Sequence, residues 1–218
     1  MKAFLWISLV ALACSLTAQA QSKTPAWQQF DPSQYAENVT KCDELAGHPD
    51  DPNTVIREGL ERPQMDLPAG IKACQDELKR DPNNPRIQYL LARVLTYSGQ
   101  VAEALPYIEK SAAANYPQSL FVTGYLYLSG AYKAAKNPCR AAELIYKSAL
   151  FQRRAGLLGY PAGVLAGDFK GCPTSQDPDE MLQFVARAQE IAKPSYYEEL
   201  LIASLNRELA SLKSKPAK

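Results

Sequence analysis

The run NPRIQYLLARVLTYSGQVAEALPYIEKSAAA, from Asn84 to Ala114, decides the fold. Asn84 can cap a helix, and Pro85 fits the first helical position, where its missing N–H costs nothing. Leu91 and Leu95 then lie one turn apart and can pack on a partner helix. Gly99 falls where a tight turn must form. After it, Ala104, Ile108 and Ser111 keep the helical spacing. Ala92 and Ala104 are small, so two antiparallel helices over about 85–98 and 101–114 can approach closely.

The same start signal recurs along the chain. Asp31-Pro32, Asn137-Pro138 and Asp177-Pro178 repeat the pattern of Asn84-Pro85, and Ser195 with Glu198 makes a capping box. Together with the apolar spacing they predict helices over 33–46, 69–80, 85–98, 101–114, 117–129, 138–153, 161–168, 178–192 and 195–213. Period-two alternation of the kind that makes strands is almost absent. The stretch from His48 to Leu67 carries three prolines and several acids and reads as a long ordered surface loop.

The order of small and large residues in 85–114 resembles the tetratricopeptide repeat, a helix–turn–helix unit. Gln88 stands where that repeat has a large aromatic residue. Gly124, Tyr127, Gly130, Ala142, Tyr146 and Ala149 resemble the related Sel-like repeat, and Tyr116-Pro117 and Tyr160-Pro161 recur 44 residues apart. The resemblance covers roughly 69–172. The pairs Cys42-Asp43 and Ala73-Cys74 add a likeness to small secreted Sel-like proteins of bacteria. The resemblance implies an all-α superhelix, a solenoid of helical hairpins in one domain over 21–213; the terminal residues 214–218 read as a disordered tail.

The first twenty residues read as a removable export signal. Lys2 is followed by an apolar run to Leu16, and Ala18-Gln19-Ala20 fits a small-x-small cleavage site. A soluble product cut before Gln21 fits these flanks better than a membrane anchor or a lipoprotein cut before Cys14. The expected location is the periplasm or the exterior. Of five cysteines, Cys14 leaves with the signal. Cys42, Cys74, Cys139 and Cys172 allow three pairings. Cys42–Cys74 and Cys139–Cys172 are favoured, because each spans about 30 residues and would tie neighbouring helices. Their spacing fits neither a zinc site nor a redox motif.

Without Lys2 the chain has 23 basic residues against 23 acidic ones. That balance provides no basic stripe for nucleic acid. The sequence contains no Gly-rich phosphate loop, no Gly-x-Ser-x-Gly elbow and no His-Glu-x-x-His. No cofactor, metal site or catalytic residue is expected. His48, Asp50 and Asp51 read as solvated loop residues. Asn38-Val39-Thr40 matches a glycosylation acceptor by chance.

Helical spacing instead points to a surface. Arg86, Tyr89, Arg93 and Thr96 share one face of their helix, and Gln118, Phe121, Tyr125 and Leu128 share the corresponding face of another. Stacked hairpins would join them into one open groove with cations at one end and aromatics at the other. Arginine and aromatic side chains are common anchors of binding. The expected function is a non-enzymatic protein- or peptide-binding scaffold of the cell envelope. The alternatives are an envelope hydrolase acting on glycan or peptide, and a carrier of a small molecule or metal.

Overall fold

Each of the four Asx-Pro pairs places its side chain on a backbone N–H just ahead, but only three open an α-helix. In a computed structural model describing residues 24–131 and 135–214, the helices are α1 (Lys41–Ala46), α2 (Leu67–Arg80), α3 (Pro85–Tyr97), α4 (Val101–Ala113) and α5 (Pro117–Ser129). After them come α6 (Pro138–Leu150), α7 (Arg154–Ala166), α8 (Pro178–Ile191) and α9 (Tyr196–Lys213). Asn84 accepts from the N–H groups of Arg86 and Ile87, Asn137 from Arg140 and Asp177 from Asp179. The expected export signal lies outside the described residues, as does the expected tail beyond Ser214.

Two expected helices differ. The span 33–46 becomes one 3-10 turn, Pro32–Gln34, followed by extended chain and then α1. Arg86 explains the gap: its guanidinium takes the carbonyls of Ala36 and Asn38, so they are not free for a helical ladder. The helix can start only at Thr40, which forms a capping box with Asp43. The span 161–168 becomes α7, which begins at Arg154 with no capping side chain to announce it. Pro161, read as a helix start, lies inside α7 instead.

That shift also corrects the expected repeat. After α4, Asn115 turns into the left-handed region (φ 63°) and the N–H of Tyr116 bonds Ser111 O; after α6, Gln152 (φ 59°) and Arg153 repeat the move onto Ser148 O. The hydroxyl of Ser111 donates to Pro85 O and that of Ser148 to Pro117 O. The structural counterpart of Tyr116-Pro117 is therefore Arg153-Arg154, not Tyr160-Pro161.

All nine helices among the described residues pack on their sequence neighbours in consecutive pairs. Small residues set the spacing. Ala92 and Ala104 are fully buried between α3 and α4, and a Cβ on Gly124 would lie 2.6 Å from Ile145 of α6. Gly99, at φ 84°, makes the α3–α4 turn in a conformation that other residues rarely adopt. Two large apolar cores result, with a smaller cluster of Ala112, Leu120 and Leu144. One gathers Cys42, Cys74, Ile87, Leu91, Leu95 and Ile108, and the other Ile145, Leu157, Phe169, Phe184, Ile202 and Leu209. The disulfides Cys42–Cys74 and Cys139–Cys172 place one staple beside each core.

Candidate binding site

Most of the side chains on α3 and α5 that were expected to line an open groove are covered. Arg86 pairs with Asp43, and both are buried. Arg93 donates from Nη1 to the carbonyls of Ala46 (2.8 Å) and Gly47 (2.9 Å) and from Nη2 to Leu60 (2.6 Å). Its guanidinium also lies over the Tyr97 ring. Tyr89 and Gln118 are buried, Thr96, Phe121 and Leu128 are half-buried, and Tyr125 is 53% exposed. Phe121 packs against the second core. The expected groove is thus closed along α3 by the chain's own residues 36–60.

A groove with no partner needs a lid, and the Pro-rich segment provides one. Leu60 N–H bonds Gly47 O at 2.8 Å, so residues 47–60 form a compact loop whose ends meet. Asp51, read as solvated, is buried under this loop. Its carboxylate accepts from Tyr116 Oη (2.6 Å) and from the N–H of Asn53 (3.0 Å). His48 is mostly buried too, its ring 6.4 Å from that of Tyr89.

Below the loop, a polar relay joins three helix starts. Gln118 Nε2 donates to Tyr89 Oη (3.2 Å), and Arg153 Nε donates to Gln118 Oε1. Burial raises the Asp51 carboxyl above its ordinary range, against the opposing pull of the Tyr116 hydroxyl. Burial also raises both tyrosine hydroxyls and lowers the Arg153 guanidinium, with Asp51 acting against the arginine's shift. The relay is a neutral-to-cationic strip that ends at Arg153.

Asp50 and Pro52 form one edge of the loop, and beside them a cleft of about 470 Å³ opens between α7, the end of α8 and the start of α9. Arg153, Arg154, Leu158, Ile191 and Glu198 are among its walls. Sequence reasoning missed Asp51, Tyr116 and Arg153. The one available signal was the register: aligned on Ser111 and Ser148, Tyr116 and Arg153 occupy equivalent inward positions.

The buried imidazole gives a pH prediction. Burial, then the charge of Arg93, depresses His48 from 6.5 to about 4, and its Nδ1 accepts the Asp50 N–H (3.0 Å). The folded state therefore keeps His48 neutral where the unfolded chain would bind a proton. Its contribution to stability is complete above about pH 6.5 and is lost as pH falls towards 4. Asp51, with a raised pKa, acts in the opposite sense. The comparison that isolates His48 is wild type against His48→Asn in urea melts. The wild-type midpoint should fall more steeply between pH 6.5 and 4, and parallel curves would refute the assignment.

Among the described residues no helix is long and apolar enough to cross a membrane. No family model, curated protein or solved structure matches the chain.

Proposed function

We propose that this chain is an exported, non-enzymatic scaffold that binds a protein or peptide in the cell envelope. Its helical pairs are tetratricopeptide- and Sel-like hairpins stacked as a short solenoid. The observation that carries this reading is the end of the lid: the chain fills its own inner face along α3 and leaves a cleft open beside α7. A cleft of about 470 Å³ lies within the range that buries a small ligand or a few residues of peptide. The second staple ties α6 to the chain just after α7, the helix that forms one wall of the cleft. A wall held rigid before binding loses little entropy on binding. Tyr125 remains an accessible aromatic of the kind that anchors partners.

Photo-crosslinking in the native envelope tests the reading. A crosslinking amino acid at Ala192, on the cleft rim, should trap a discrete partner, and the same group at exposed Glu103 on α4 should not. Equal labelling from both positions would remove the cleft from consideration. Recovery of the chain outside the envelope fraction would sink the location.

A further inference from the structure

We infer that the cleft beside α7 is a carboxylate site, taking a single carboxylate attached to an apolar body; this rests on the binding reading above. The first observation is Arg153. It is 9% exposed and lines the cleft, yet among the described residues its one side-chain hydrogen bond is from Nε to Gln118 and no ion pair includes it. Both terminal nitrogens thus have no partner among the described residues. Asp51 and Asp50 act on this guanidinium from a distance and neither forms an ion pair with it, so the largely buried position still favours an anion in direct contact.

The second observation is Arg154. Its Nη1 pairs with Glu198 at 3.2 Å, while Nε and Nη2 are buried with no hydrogen-bond partner among the described residues. Third, α7 starts here with no capping side chain, so its first N–H groups and the positive end of its dipole add to the same field. Two forks of N–H donors beside a helix start match the planar, two-oxygen geometry of a carboxylate.

The remaining walls set the kind of carboxylate. Arg154 is already paired with Glu198, and Asp50 also faces the cleft. One guanidinium is left without an ion-pair partner among the described residues, with two carboxylates already acting on it from a distance, which suits a monoanion and disfavours a phosphate dianion. Pro52, Leu158 and Ile191 supply an apolar side. A peptide ending in an aliphatic residue has this combination, and so does a free branched-chain organic acid.

The test is calorimetric titration of the oxidised mature chain with acetyl-Gly-Ala-Leu as the free acid, the same peptide as its C-terminal amide, 4-methylpentanoate and inorganic phosphate. The acid should bind and the amide should bind at least about tenfold more weakly, the scale of lost charge-assisted hydrogen bonds. Arg154→Gln should weaken the acid alone. The acid–amide comparison uses the unaltered chain, so it stands even if that variant folds poorly. If 4-methylpentanoate matches the peptide acid, the carboxylate site holds and its source is a free acid. Equal binding of acid and amide overturns the carboxylate site, as does phosphate displacing the peptide as well as the free acid does. Binding by none of the probes also overturns it. Partner trapping from Ala192 would then still uphold the scaffold, and loss of that trapping as well would end both.

Discussion

Arg86→Ala is expected to destabilise the fold by about 3–5 kcal/mol, the scale for breaking one side of a buried ion pair. Arg86 is the only cation in an ion pair with Asp43 among the described residues, and both side chains are nearly inaccessible to solvent. Alanine would leave the carboxylate buried with no counter-ion. It would also free the carbonyls of Ala36 and Asn38, which Arg86 Nη2 now holds at 3.0 and 3.3 Å. Asp43 could not relax freely, because Oδ2 accepts from the backbone N–H and hydroxyl of Thr40 to start α1. Thermal unfolding should move down by about 10 °C for a domain of this size. Limited proteolysis should cut first between 36 and 40. A loss under about 1 kcal/mol would show that the pair contributes no more than an exposed one does.

Removing the first staple ranks next. Cys42→Ala with Cys74→Ala should cost about 3–4 kcal/mol through the entropy regained by the unfolded chain, because the bridge closes a span of 32 residues. The second bridge closes 33 and should have a similar effect on its own core. The two losses should be separable in location. Hydrogen exchange should rise in α1 and α2 for the first pair, and in α6 and the residues around Phe169 for the second. Combining Arg86→Ala with loss of Cys42–Cys74 should cost less than the sum, because both changes free the same segment. Strict additivity would mean that the ion pair and the bridge anchor different parts of the chain. A non-reducing peptide map showing Cys42 joined to Cys139 would overturn the arrangement from which both numbers come.

How much of this was legible in the sequence depended on whether the cause was local. Asn84, Asn137 and Asp177 each announce a helix because cap and proline act within one turn, and α3, α6 and α8 start where expected. The pairing of the cysteines was legible because each bridge joins segments close along the chain. The start of α7 was not, since Arg153 and Arg154 carry no capping signal and Pro161 imitates one. The burial of Asp51 was not legible either. Nothing near Asp51 in sequence shows that Tyr116, 65 residues later, donates to it. Of the eight expected groove residues, Arg86, Tyr89, Arg93 and Gln118 are buried and Tyr125 is exposed. Helical spacing could group them, but it could not show that residues 36–60 would return to cover α3.

The return of that segment has a competitive consequence. Because it is tethered to the surface it covers, it occupies α3 at an effective concentration of the order of millimolar. A dissolved rival would have to outbid that local supply and also dislodge the Arg86 and Arg93 clamps. In the proposed scaffold, recognition would therefore fall at the margin of the helices and not at their middle, and a designer wishing to vacate the middle would begin by severing the tether, not by strengthening the rival.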